Sequence, residues 1–465
     1  MNLLTQYQSL PFDPSGPQAA LAALPHSAAV FALYGAEAHA EPYIGRTPNL
    51  RARLERLLQP SAKHPRRLQL AGRVRRIEYR LTGSDFESLF LQFQLLEKIY
   101  GPKSPGQSLD RMHLGAPAFI RFLGSNAYPR ITVTNRPSQR EADWAYGPFQ
   151  SRAAAERFAE EALKLFLLRR CTFELDPDPS YPGCVYSEMK MCLAPCYKGC
   201  TDERYAEESS AVESFLATRG ESRLVPLRTQ RDQASANLEF ESAATLHAQV
   251  QRTEAVRALA PELVQPMNKL RVIILQASAK PDEVAVFLYE NARLRGPAVF
   301  STLGMRIQNE QSGSSSLFAQ PMALEPVPET PSAIQTNALQ PAEILDSGAE
   351  KCQGTTSVVP QMQQNESGAS APAEPATNST AKLPRGLLET RMETALAALA
   401  EHGQAPSATI RQGHLALLKR WYYRPEVRRS GEIFFPDVEG RWPVRQMLRG
   451  VGRVAAKMLI PAHRP

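Results

Sequence analysis

Long hydrophobic runs are missing from this chain of 465 residues. No apolar stretch approaches the roughly 18 residues needed to cross a bilayer, so a membrane protein is not expected. The opening residues, MNLLTQYQSLPFDPSGP, carry no basic group ahead of their apolar positions and meet a proline early. That is unlike a secretory leader, and a cytoplasmic location is the expectation. Cysteine is also scarce: of six, five fall between Cys171 and Cys200. A disulfide framework spread along the chain is therefore not expected, and thiols crowded together in a reducing compartment point to a metal or cluster. Between Gln308 and Ala381, Phe318 is the only aromatic and Lys351 the only basic residue. Such a stretch buries too little apolar surface to offset the entropy of ordering it. We expect a disordered linker over 308–382, with Cys352 an isolated thiol inside it.

What the chain does have is positive charge, unevenly placed. The formal net charge is +7, and from Arg46 to Arg80 eleven basic residues face two acids, Glu55 and Glu78. A surface so one-sided favours a polyanionic partner. The length exceeds what one core supports, so several domains are expected.

The fold class read from the pattern is α/β (α+β) and multidomain. Residues 29–100 suggest a hairpin of two strands, AVFALY and PYIGR, then a helix opened by Pro48-Asn49, a strand VRRIEYRL at 74–81, and a helix capped by Ser84. Together they predict a small mixed sheet with flanking helices. Strands follow at 129–135 and 146–149, then a helix from Ser151 to Leu168. Residues 203–260 read as a helical hairpin, with Leu238, Ala243, Leu246 and Val250 at helical spacing. A two-residue period over 269–303 predicts two or three strands, and helices resume after Pro384.

One constellation carries chemistry. An apolar strand, then Tyr43-Ile44-Gly45, then Asn49-Leu50-Arg51-x-Arg53-Leu54, a third strand, and a T-x-x-x-x-E-x-L helix from Thr82 together resemble the GIY-YIG nuclease domain found at the N-terminus of the UvrC family. That resemblance implies hydrolysis of a DNA phosphodiester with one divalent metal, magnesium if the site is active. A helix glutamate would hold the metal, a hairpin tyrosine would help activate water, and a helix arginine would neutralise the phosphate. Carried over, the tyrosine is Tyr43, the arginine Arg53, and Arg46 and Asn49 join Arg53 in contacting DNA. The first signature tyrosine aligns with Phe31, and Leu57 and Ser104 also depart from the pattern. The metal-binding glutamate aligns with Gln92, whose amide brings no charge where magnesium favours carboxylates. Glu87 and Glu97 each lie five residues away, about 140° around the helix. Glu37 and Glu41 remain as acids for a rearranged site. The expectation is an impaired or inactive nuclease site.

Cys171, Cys184, Cys192 and Cys196 form a complete thiolate shell for zinc or an iron–sulfur cluster, with unligated buried thiols as the plain alternative. YGPF, LFLLRRC and C-x7-CLAPC extend the UvrC resemblance, which implies a [4Fe-4S] cluster on those four cysteines and leaves open a ligand swap with Cys200. LEFESAATLHAQV resembles the UVR motif that pairs UvrC with UvrB, with Phe240 and Glu241 in its core and His247-Ala248 in place of its usual Arg-Asp pair. Expected pieces are therefore 27–104 nuclease-like, 128–202 cysteine-rich, 203–262 helical with the UVR motif at about 225–260, 268–307 strands, the linker, and a basic region at 383–465.

The resemblance covers about 27–260, and no RNase H-like endonuclease domain is recognisable beyond it. In HLALLKRWYYRPEVRRSGE, Lys419, Arg420, Arg424, Arg428 and Arg429 alternate with Trp421, Tyr422 and Tyr423. This reads either as a phosphate-contacting, base-stacking segment or as a core edge with a solvated basic face. LRGVGRVAAKML resembles one helix-hairpin-helix turn. The expected function is a UvrC-like component of nucleotide excision repair that binds double-stranded DNA and docks on a UvrB-like protein. The alternatives are an active incising subunit and a cluster-bearing scaffold outside repair.

Overall fold

The computed structural model describes residues 7–37, 40–59, 70, 72–101, 104, 106–138, 140–305, 384–400 and 406–459. The expected linker, with Cys352, and the basic residues Lys63, Arg66 and Arg67 lie outside them.

The N-terminal sheet uses strand β1 (Gln8–Pro11), helix α1 (Pro17–Ala22), β2 (Ala29–Gly35), β3 (Tyr43–Thr47), α2 (Leu50–Leu58), β4 (Val74–Leu81) and α3 (Asp85–Tyr100). Strand order is β1-β4-β2-β3 and every pairing is antiparallel, so the expected mixed sheet is corrected. It also begins upstream of residue 27, because β1 adds an edge strand to β4. The edge position suits Pro11, which has no N–H to donate to a ladder. Alternation along β2 splits the strand between two cores. Phe31 and Leu33 meet Leu50, Leu54, Leu57 and Leu58 of α2, whereas Val30 and Ala32 meet Leu91 and Leu95 of α3. Helices α2 and α3 thus cover opposite faces of the sheet.

After α4 (Gln107–Arg111), the middle of the chain contributes β5 (Ala118–Phe122), β6 (Ile131–Thr134), β7 (Ala145–Phe149), α5 (Arg152–Leu163), α6 (Val185–Glu188), α7 (Asp202–Ala217), α8 (Glu221–Ala236), α9 (Phe240–Ala258) and β8 (Gln265–Pro266). The second sheet runs β6-β5-β7-β8. Helix α5 stops at Leu163, short of the expected Leu168. The region expected as one helical hairpin is three helices, and only α8 and α9 form the hairpin.

The third sheet joins pieces that looked separate. Strands β9 (Val272–Ala277), β10 (Glu283–Glu290) and β11 (Arg293–Ser301) are followed by α10 (Arg385–Leu399), α11 (Ala408–Tyr422), β12 (Glu432–Phe434) and α12 (Val444–Leu459). Strand order is β11-β10-β9-β12, with β12 pairing antiparallel to β9. Ile273, Leu275, Val284 and Val286 pack with residues of α10 and α12. On the other face, Ile274, Ala285 and Phe287 pack with Phe86, Phe90 and Phe93 of α3 and with Leu415 and Trp421 of α11. Helix α3 is therefore apolar on two sides, as a helix buried between layers must be. Gly83, at its entry, lies so close to the β9–β10 turn that a Cβ would stand 2.1 Å from the Ser278 carbonyl carbon. Only glycine fits there without displacing that backbone.

Candidate nucleic-acid and metal sites

The β2–β3 register sets Phe31 opposite Gly45 and Leu33 opposite Tyr43. Phe31 is fully buried, and its ring occupies the space above Gly45, where an added Cβ would lie 2.7 Å from Cζ. Asn49 closes the start of α2, its Oδ1 accepting from the Ala52 N–H at 3.0 Å. That cap places Arg53 one turn into the helix, where its guanidinium donates to the Tyr43 hydroxyl at 3.4 Å. Arg51 is held by Glu55 at 3.1 Å, and Arg56 turns back to the Ala52 carbonyl. The fold thus brings Tyr43 and Arg53 together at one end of the hairpin. Asn49 is engaged in capping.

Arg46 points to the opposite face. It is ion-paired with Asp85 in the first turn of α3, and the second Asp85 oxygen accepts from Arg424 at 2.6 Å. Burial pushes the Asp85 carboxyl up, but the hydrogen bond and charge of Arg424, together with Arg46, outweigh it and hold the group below its usual range. Gln92 lies on α3, half-buried, and no hydrogen bond links it to Tyr43 or Arg53 among the described residues. Glu87 is spent on the Gly83 N–H at 2.8 Å, and burial raises its pKa. Glu97 accepts from Ser108, Glu41 pairs with Arg111, and Glu37 is exposed. Among the described residues, no group of three or more His, Cys, Asp or Glu side chains is arranged to hold a metal ion.

In the cysteine segment, Cys171, Cys184, Cys192 and Cys196 line one cavity together with Arg169, Arg170 and Pro195. Cys200 is not among the lining residues and instead packs against the core of the second sheet. The Ala194 N–H donates to the Cys192 sulfur at 3.3 Å. Burial, aided by the three neighbouring cysteines, pushes the Cys192 thiol up to about 11. The donor set suits a soft metal, since four sulfurs share one lining.

Phe240 opens α9 at the α8–α9 turn and is 67% exposed, beside Leu238 at 71%. Leu238 has φ 63° and stands outside the helix, which corrects its place in the helical apolar stripe. Val250 and Leu246 keep theirs, packing on Leu224 and Leu227.

The basic aromatic segment is a core edge. Trp421 is buried and its Nε1 donates to the Ser430 carbonyl at 2.9 Å. The Tyr423 hydroxyl donates to the Pro148 carbonyl at 2.8 Å, and Lys419 donates to the carbonyls of Gly115 and Ala116. Arg429 lies over the Trp421 and Tyr422 rings. Trp421 is thus buried, and Tyr422 and Tyr423 are half-buried at the edge of the same core. The Gly450-x-Gly452 pair lies within the continuous helix α12, so the expected helix-hairpin-helix turn is absent. Sequence reading missed the role of Asp85, because an acid in the first turn of a helix is accounted for by the helix dipole alone and its two arginine partners lie far away in sequence.

Residues 119–215 match the family described as the UvrC/Cho excinuclease middle domain. The chain is similar to the UvrABC system protein C of Alcanivorax borkumensis, 31% identical over 215 residues, which are 46% of this chain and 34% of that protein. It is 29% identical over 275 residues to the protein of the same name in Ruminiclostridium cellulolyticum (59% and 44%), and 30% over 281 residues to that of Symbiobacterium thermophilum (60% and 43%). The chain thus spans less than half the length of these relatives. No solved structure matches, and no helix among the described residues is long and apolar enough to cross a membrane. Over residues 119–215, which include the four cysteines that line one cavity, the chain is similar to the middle domain of the UvrC/Cho excinucleases.

Proposed function

We propose that the chain is a UvrC-like component of nucleotide excision repair that holds double-stranded DNA and docks on a UvrB-like partner, with its own GIY-YIG-like site impaired for cutting. The observation that carries this reading is the half-built site. Tyr43 and Arg53 stand within hydrogen-bond reach, suited to meeting a phosphate, while the position for a metal-binding carboxylate is Gln92 on the helix behind the sheet. Magnesium keeps its affinity for carboxylate oxygens, and Glu87, Glu97 and Glu41 all have other partners. An arginine beside a phenol still attracts and orients a phosphate without hydrolysing it.

The exposed Phe240 and Leu238 support a docking role for the α8–α9 turn, with Glu241 in the first turn of α9. The four cysteines would hold a [4Fe-4S] cluster or zinc, which would brace the irregular segment between α5 and α7.

The test is incision of a lesion-containing duplex in magnesium with UvrA and UvrB present. Wild type is expected to bind without nicking, and Gln92→Glu combined with Phe31→Tyr to gain measurable nicking that Arg53→Ala abolishes. Robust cutting by wild type that survives Arg53→Ala would overturn the impaired-site reading. Absence of both DNA binding and UvrB association would overturn the repair role.

A further inference from the structure

Arg169 is only 6% exposed, an unusual place for a cation. Its Nε donates to the Tyr128 carbonyl at 2.9 Å, and its Nη1 to the Phe173 carbonyl at 2.9 Å and to the Cys171 sulfur at 3.5 Å. Its backbone N–H donates to the Tyr205 hydroxyl at 3.2 Å, and that hydroxyl donates to the Pro129 carbonyl. From the strand side, Arg130 donates to the Cys171 carbonyl at 3.1 Å. Two guanidinium groups therefore converge on one cysteine, and neither is ion-paired with a carboxylate among the described residues.

Leaving a charge buried without its partner costs several kcal/mol, so the arrangement calls for negative charge nearby. The cavity that Arg169 lines supplies a source, the four cysteine sulfurs. Four thiolates around a doubly positive metal core leave a net negative charge. We propose that Arg169 is the positioning residue of the four-cysteine site: it fixes Cys171 as a ligand through an N–H···S contact and offsets the charge of the metal–thiolate group. The inference rests on the four-cysteine reading above. For an iron–sulfur cluster it has an electrochemical consequence. Adding an electron makes the group more negative, a buried cation stabilises that form, and the reduction potential rises.

The experiment compares anaerobically reconstituted full-length wild type with Arg169→Gln and Arg169→Lys, with the exposed Arg152→Gln as a control. Iron and zinc per chain, near-400 nm absorbance, and the one-electron midpoint at an electrode are read for each. Arg169→Gln is expected to shift the midpoint to more negative potential, Arg169→Lys to recover much of the shift, and Arg152→Gln to match wild type. If the site takes zinc, Arg169→Gln is expected to lose it to excess chelator several-fold faster than wild type and Arg169→Lys. A fully loaded Arg169→Gln protein with the wild-type midpoint, or with the wild-type zinc-release rate, overturns the role of Arg169 alone. Folded wild type that holds neither metal overturns the four-cysteine reading along with it. Should Arg169→Gln fail to fold, Arg169→Lys decides through the charge it keeps: a midpoint close to wild type, or zinc release at the wild-type rate, is expected, and a loaded Arg169→Lys protein with a strongly negative midpoint or several-fold faster zinc release overturns the charge-offsetting role.

Discussion

Arg424 donates to the carboxylate of Asp85 across 339 positions of sequence, at 2.6 Å, and Arg46 takes the other oxygen. One carboxylate in the first turn of α3 thus ties a strand of the N-terminal sheet to the segment that follows α11. Asp85→Asn should release both guanidinium groups. Each ion pair is partly exposed, so the stability loss should be modest, about 1 kcal/mol. Duplex DNA binding should tighten at low salt, with a salt dependence steeper by about one or two phosphate contacts. Fluorescence anisotropy across a salt series checks this, and an unchanged slope would mean that Arg46 and Arg424 face no nucleic acid.

Gly45 and Phe31 form a packing pair. Gly45→Ala should cost about 1–3 kcal/mol, because the added methyl meets a fully buried ring that cannot move aside. Urea unfolding measures the loss. Phe31→Leu introduced together with Gly45→Ala should return part of it, as expected for residues in contact.

His414 is sealed between Phe90 and Phe93, and its Nδ1 accepts the Leu294 N–H at 3.1 Å. Burial, with Arg293 nearby, lowers its pKa from the ordinary 6.5 to about 3. The folded state then keeps the ring neutral while the unfolded chain takes up a proton below 6.5. Stability from this residue is fully present above pH 6.5 and is lost as pH falls from there toward 3, at a slope approaching ~1.4 kcal/mol per pH unit. Melting temperatures of wild type and His414→Gln, measured between pH 4 and 7.5, should converge on acidification. Parallel curves would exclude the histidine as the source.

Phe240→Ser should leave the unfolding midpoint unchanged, since the side chain is largely in solvent, and should weaken capture by immobilised UvrB at least tenfold if the ring is an anchor. Retained capture would move the docking surface elsewhere.

Local chemistry explains which parts of this fold are legible in the sequence. Asn49 and Ser84 announce α2 and α3 because capping is a contact over three residues. The β2–β3 hairpin shows in its alternation. Strand β12 has three residues, and its partner β9 lies more than 150 residues earlier, so no local pattern signals it. Trp421 and Tyr423 among arginines look like part of a stacking surface until the Ser430 and Pro148 carbonyls are seen to take their polar atoms. In α3, the run FESLFLQFQLL was apolar around most of its circumference, a readable sign of burial on two sides. What it could not reveal was the second layer, which comes from beyond residue 270. The reading of Gln92 depends on an alignment position, whereas the placing of its helix on the face of the sheet opposite α2 is set by the fold.

The sandwiching of α3 also bears on how this protein can be divided. A chain ending near residue 104 would carry the whole hairpin, Tyr43 and Arg53, yet it would present Phe86, Phe90 and Phe93 to water, because their cover arrives only with β10 and α11. The N-terminal sheet unit thus shares the apolar face of its last helix with the third sheet and α11. Any ancestor or fragment that carried it alone needed another apolar lid for the same helix.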